Sequence, residues 1–432
     1  MQALIESMGT FGRRLSFVLP SDQIASGYSA RLGEIARSVR IKGFRPGKIP
    51  ARVIEQRYGQ QAQAETVQAV LQQTFEKALN DHALRLAGQP EIQCDSPADY
   101  RFTATFEVMP DLPEINMASL TIARPSAQVQ DSDVDQMVEH LRLQRRQWTA
   151  VTKGAESGDR VTIESWSDVD GKRLPAEGLE RSVTVLGTHA LYEPIEKCLE
   201  NVKVNEEKVL EVKFPQDWRV AELADKNVTL HIVVKEVAQA HLPAVDQAFV
   251  ESFGIPGGQL ETFRKEIRAN LERELKTALM NRLRQTVGDQ LVELYGQTEL
   301  PPQLVAREAQ LMWEQQQGSM AAEQANHPPQ PSQQELQPFM ELAHRRVFVG
   351  LILGEIARRH AIRLDQQRVL HALKVIASTY EDPDQVIAAY SADSDRMAGL
   401  QARVMEEQVV EWIADHAQQT THELSFREAL GR

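Results

Sequence analysis

Cysteine is nearly absent from this chain. Its 432 residues include only Cys94 and Cys198, more than a hundred positions apart. That excludes a disulfide scaffold and any cysteine-based zinc site. Aromatic residues make up only 6%, while Gln, Glu, Ala and Leu are abundant, a balance that favours helix. No long apolar run exists either. The most apolar uncharged stretch, Val347 to Gly354, falls far short of the roughly 20 residues a membrane span needs. Glu6 stands where a signal peptide needs an apolar run, and Arg13-Arg14 come too late for its basic start. The expectation is a soluble protein of the reducing cytosol, with no membrane among its partners.

Enzyme signatures are missing too. Gly43 and Gly47-Lys48 have three residues between the glycines where a phosphate loop has four, and Ile49 replaces its Ser/Thr. Asp131-Ser132-Asp133-Val134-Asp135 opens like a calcium loop, but Gln136 and Arg142 occupy positions that need Gly and Glu. It reads instead as an acidic helix start, where the helix dipole favours carboxylates. No HExxH, GxSxG or dinucleotide fingerprint occurs. The eleven histidines are scattered singly. No metal and no cofactor is expected.

What the chain does have is length for two to four domains and an uneven charge. The net charge is −13. Residues 1–112 hold 13 Lys+Arg and 12 Asp+Glu, a net of +1, so the remaining 320 residues carry −14. Within the first part, Arg37, Arg40, Lys42, Arg45, Lys48 and Arg52 form a basic island without an acidic residue. Such an island on an acidic protein fits one docking face for an anionic partner, and equally a solvated loop.

Periodicity divides the chain into three compositions. Gly12 to Leu19 and Tyr100 to Val108 read as strands. Between them, Ser21-Asp22 starts a helix with apolar positions at Ile24, Tyr28, Leu32, Ile35 and Val39, and further helices start near Ala51 and Ala64. Pro110 and Pro113 end this α+β part. From Leu120 the chain is extended, and 131–147 reads as a helix. Val161 to Val237 alternates apolar and polar residues, which predicts a small antiparallel sheet. From Pro243 onward the pattern is helical, at 259–295, 302–318, 333–360, 365–379, 383–391 and 394–417. No placement follows for 418–432. The fold class is therefore α+β multidomain, divided as 1–112, a linker and helix at 113–149, a β domain at 150–242, and an all-α domain at 243–432.

At Gly43-Phe44-Arg45-x-Gly47-Lys48-x-Pro50 the sequence resembles the trigger factor family, bacterial ribosome-associated chaperones, of which this loop is the specific docking signature. The resemblance continues through Arg57-Tyr58-Gly59, Leu271 to Lys276, Arg345 to Glu355, Ala377 to Pro383 and Glu406 to Val410, covering essentially the whole chain. It implies an N-terminal ribosome-binding domain, an FKBP-like prolyl isomerase domain, and a helical C-terminal domain that holds clients. It also implies that Lys42, Gly43, Phe44, Arg45, Gly47, Lys48 and Pro50 meet protein and rRNA of the large ribosomal subunit at the exit tunnel. The implied partners are nascent and unfolded polypeptides, with a homodimer allowed off the ribosome. The implied setting is cytoplasmic, with roles in protein folding, export and cell division.

The isomerase domain departs from the family pattern. Where the family's first strand reads Asp-Phe-x-Gly, this chain has Glu164-Ser165-Trp166-Ser167. Leu174 and Leu230 replace phenylalanines, Ile195 stands in the Pro-Gly-Phe stretch, and Trp218 replaces a tyrosine. Asp170-Gly171, Leu186-Gly187 and Phe214-Pro215 survive as scaffold. Ser165, Trp166, Leu174, Tyr192, Ile195, Trp218 and Leu230 are the pocket candidates, and weak isomerase activity is expected of them. The opposite reading is that Trp166, Tyr192, Trp218 and Ile195 rebuild a working pocket. In the helical third, Met312, Trp313, Met320, Phe348 and Met397 are candidates for client contact, although the same residues would serve an ordinary helical core. Two rival readings are an enzyme devoted mainly to prolyl isomerisation and a nucleic-acid-binding protein using the basic loop. The replaced aromatics count against the first, and the −14 elsewhere against the second.

Overall fold

The computed structural model describes residues 4–39, 44, 49–169, 171–216, 218, 223–321, 331–380 and 382–431, the side chains of 318–321 excepted. The chain forms two compact units, one from Met1–Pro125 with Met280–His422, the other from Ser126–Leu279 with Glu423–Arg432. These cuts fall elsewhere than the changes of composition at 112, 149 and 242.

The first unit begins with β1 (Leu4–Met8), β2 (Gly12–Val18), α1 (Ser21–Ser38), α2 (Ala51–Asp81), β3 (Glu91–Ser96) and β4 (Arg101–Glu107). The strands make an antiparallel sheet in the order β1-β2-β4-β3. Alternation puts Leu15 and Phe17 of β2, with Phe102, Ala104 and Phe106 of β4, on one face, and Phe75 and Leu79 of α2 cover it. The two helices expected near Ala51 and Ala64 are one, α2, because no proline interrupts 51–81. Gly59 inside it is a contact glycine, since a Cβ there would lie 3.0 Å from the Tyr28 hydroxyl.

Next come β5 (Thr121–Ser126), α3 (Asp131–Gln144), β6 (Gln147–Ala150), β7 (Arg160–Val169), β8 (Lys172–Leu174), β9 (Glu180–Val185), α4 (Glu193–Cys198), β10 (Glu207–Lys213) and β11 (Asn227–His241). Asp131 and Asp133 lie in the first turn of α3, as the dipole requires. In the second unit β7 and β11 are the spine of an antiparallel sheet, ordered β10-β11-β7-β8, with β6 on β11 and β9 on β7. Its inner face is Val161, Ile163, Val169, Val228, Leu230, Ile232 and Val234, covered by Ile195 and Leu199 at α4.

The remaining elements are α5 (Gln247–Glu251), α6 (Leu260–Tyr295), α7 (Pro302–Ala321), α8 (Gln333–Arg359), α9 (Gln366–Ala377), α10 (Pro383–Ala392), α11 (Ser394–His416), β12 (Gln418–Glu423) and α12 (Phe426–Leu430). Caps explain several starts. Ser332 and Glu335 form a reciprocal capping box on α8, and Asp382 caps α10 ahead of Pro383. Within the second unit, Phe249, Phe263, Ile267 and Leu271 pack on Val134 and Val138 of α3. In the first unit, Leu283, Val287, Leu291, Val305, Phe348, Ile352, Val410 and Ile413 make the largest core, together with Leu120 and Ile122. Residues 418–423, which sequence reasoning left unplaced, pair with β5: the Gln418 amide donates to the Leu120 carbonyl at 2.9 Å.

Candidate functional site

Three places carry the sequence expectations. The basic island joins α1 to α2. Arg37 in the last turn of α1 and Arg52 in the first turn of α2 are exposed. Ile49 is buried against Ile35 and Ile54, and Pro50 sits at the N-cap of α2. The connection is thus anchored at both ends by apolar packing. Phe44 is 40% exposed, a large ring left in water. Arg40, Lys42, Gly43, Arg45, Gly47 and Lys48 lie outside the described residues.

The second place is the inner face of the β domain. Strand parity decides which candidates can meet there, because successive side chains alternate faces. Ser165 pairs with Ile232 and shares the inner face with Ile163. Trp166 is one residue on and belongs to the outer face. There it stacks on His231 at 3.7 Å, with the Arg173 guanidinium 4.8 Å from its ring. Trp166 is therefore removed from the pocket set, since a one-residue offset reverses the face. Leu174, Tyr192, Ile195, Trp218 and Leu230 do come together in one apolar cluster. Tyr192 and Trp218 flank a ring that sequence reasoning treated as scaffold, Phe214. Centroids are 5.6 Å from Tyr192 to Phe214, 4.8 Å from Phe214 to Trp218 and 5.5 Å from Tyr192 to Trp218. These spacings are those of favourable aromatic pairs. The period-two pattern of β10, with Val212 and Phe214 both buried, was the signal for Phe214.

A buried carboxylate holds the turn next to this cluster. Glu196 of α4 accepts from the Gly187 amide at 2.6 Å and the His189 amide at 3.3 Å. Gly187 has φ +85°, and a Cβ there would lie 2.4 Å from the Ser157 hydroxyl oxygen. That is the physical reason for glycine at this position.

The third place is the helical part, where the expected client residues are corrected. Met312 and Trp313 are buried, and Phe348 is 1% exposed inside the largest core. Met397 is half-buried against Leu373, Leu400 and Val404, and the Met320 side chain lies outside the described residues. Met312 and Phe348 are core, because the faces of α7 and α8 that carry them pack together with Leu283, Val287 and Leu291 of α6, and Met397 of α11 packs in a smaller cluster with α9. Exposed apolar groups of the helices are others: Leu294 on α6, Leu311 on α7 and Leu342 on α8, and closer together Leu370 at 51% and Val375 on α9, then Tyr380 at 59%. Beside them α10, of sequence Pro-Asp-Gln-Val-Ile-Ala-Ala-Tyr-Ser-Ala, buries none of its described residues; Val386, Ile387 and Tyr390 are half-exposed.

An α+β lobe, a β domain with clustered aromatic rings, and helices that leave apolar groups exposed make up a multidomain α+β protein. The comparisons narrow this. The bacterial trigger factor protein family model matches residues 1–141, and that of the trigger factor C-terminus matches 259–415. Trigger factors of Xanthomonas euvesicatoria pv. vesicatoria (strain 85-10) and Stenotrophomonas maltophilia (strain R551-3) are each 50% identical over 430 residues, with both chains covered in full. This chain belongs to the trigger factor family of chaperones. A solved trigger factor chaperone chain also matches, at 17% identity over 96% of this chain and 99% of that one. Its TM-score is 0.37.

Proposed function

We propose that this chaperone works without ATP, docking on the large ribosomal subunit near the exit tunnel through Lys42–Pro50 and taking emerging chains on the exposed apolar surface of α9 and α10. On this reading residues 1–112 are the ribosome-binding domain. The observation that carries the proposal is the pairing of one basic island with an apolar patch elsewhere on an acidic chain. Cations suit rRNA phosphate. Scattered apolar groups suit many client sequences weakly, so release needs no nucleotide when off-rates are fast. Two free cysteines support a reducing cytoplasm. Among the described residues, no helix is long and apolar enough to cross a membrane.

The client surface has a direct test. Leu370→Ser with Tyr380→Ser removes two exposed apolar groups, so the fold should stand. Each group buries part of its area on a client, worth about 0.7 kcal/mol, and together the loss is about tenfold in affinity. Light scattering from a guanidine-unfolded client diluted into buffer reads this out. The double variant should need about ten times more protein to suppress aggregation; an unchanged requirement would place client binding elsewhere.

We also propose that prolyl isomerisation survives here at a low level, with the β domain serving chiefly as a peptide-binding surface. Tyr192, Phe214 and Trp218 can line one side of a proline ring, while Leu174, Ser165 and Leu230 give the other side no aromatic ring. The aromatic trio favours a second reading, a fully active isomerase. A prolyl-peptide assay on the full chain separates them. The expected kcat/KM is at least tenfold below that of an FKBP-type isomerase with a complete aromatic lining, or about 1.4 kcal/mol of barrier. Trp218→Ala should abolish what is left. Equal turnover would establish the second reading.

A further inference from the structure

We propose that Glu355 is a latch that fixes the N-terminal lobe, residues 4–109, on the helices of the first compact unit. Glu355 stands near the end of α8 and is only 7% exposed. A buried carboxylate needs partners, and this one has three guanidiniums. Its Oε2 accepts from Arg358 Nε at 2.9 Å and from Arg85 Nη1 at 3.1 Å. Its Oε1 accepts from Arg358 Nη2 at 2.6 Å and Arg359 Nε at 2.7 Å. Arg358 first, then Arg359 and Arg85, hold the carboxyl well below the usual glutamate range against the opposing effect of burial.

Two of these arginines leave the helix. Arg85 belongs to the N-terminal lobe, 270 residues away in sequence. Its own carbonyl accepts from the Met109 amide at 2.8 Å, and Leu86 bridges to Val108 beside it, so its backbone is seated on the sheet. Arg359 donates through Nη2 to the Leu112 carbonyl at 2.9 Å, where the chain leaves that sheet. A second polar tie runs in parallel, from the Gln303 amide at the start of α7 to Glu107 Oε2 at 3.1 Å. Leu112, Ile115 and Met117 add apolar packing against the helical core. Those three follow the lobe in sequence, so they secure its exit point and leave its rotation free. From the lobe itself Arg85 and Glu107 reach across, and of these two Arg85 is the one that meets a buried opposite charge.

The arrangement is one-sided by charge. Removing the carboxylate would leave three cations crowded together, whereas removing Arg85 leaves Glu355 satisfied by its own helix. Arg85 is thus the clean place to open the latch. The inference concerns the joint between lobe and helices and stands independently of the ribosome reading.

The experiment labels the exposed Cys94 of β3 and a cysteine at Gln310→Cys on α7 with nitroxides, in full-length protein carrying Cys198→Ser. Double electron–electron resonance then reports the distance between lobe and helices. The parent should give one narrow distance. Arg85→Ala should at least double the width of the distribution, while Arg358→Ala, which removes two bonds internal to α8, leaves it narrow. An Arg85→Ala distribution as narrow as the parent's overturns the latch. Equal broadening by Arg358→Ala also overturns it, because the effect would then belong to the end of α8.

Discussion

Phe348→Ala should lower the stability of the first compact unit by about 3–5 kcal/mol, while the folded molecules that remain bind clients as before. The side chain is 1% exposed among Leu283, Val287, Leu291, Val305 and Ile352. Deleting the ring removes its transfer free energy and leaves a cavity that rigid helices on every side fill only in part. A chain with two compact units need not unfold in one step, so a single melting midpoint is a poor gauge. Amide hydrogen exchange is better, because it reads the opening free energy segment by segment. Protection along α6, α7 and α8 should fall by about two to four orders of magnitude. If Phe348 were a client-contact residue, the reverse would follow, with protection intact and client affinity reduced.

That contrast marks where sequence reasoning reaches its limit. The six long C-terminal helices were legible because apolar residues recur at three and four and because caps such as Ser332 with Glu335 mark their starts. Which face each helix buries was not, since α7 and α8 carry more apolar positions than one stripe requires. Met312 and Phe348 turned inward, whereas Leu370 and Tyr380, unremarkable in sequence, were left in water. Strands failed for a different reason. β1, β3 and β12 are exposed along most or all of their length, so no period-two contrast announces them. Trp166 was assigned to the pocket because its residue type suits one, but strand parity puts it on the other face. Parity could have been counted, and so could Arg358 and Arg359 at i+3 and i+4 from Glu355; its third partner could not. Arg85 lies 270 residues away, and only the folded chain brings it there.

Phe44→Ala with Arg45→Ala and Lys48→Ala should weaken ribosome binding by at least a hundredfold. Three losses combine. Two cations that would neutralise phosphate disappear, and with them the counterion release that drives association. An aromatic ring that is 40% exposed in the free protein loses the area it would bury on docking, worth about 2 kcal/mol. The anchors at Ile49 and Pro50 are untouched, so the connection between α1 and α2 keeps its ends and the variant should fold. The salt dependence gives an internal check. Each lost phosphate contact should flatten the slope of log affinity against log salt by about 0.7–0.9, so two lost cations should flatten it by somewhat less than 2.

Co-sedimentation with 70S ribosomes at about 150 mM salt is the measurement to make. The native chain should pellet with ribosomes and the triple variant should stay in the supernatant. If both pellet alike, docking is diffuse and the basic island is not its seat. If neither pellets, the central claim that this chaperone works at the ribosome is contradicted.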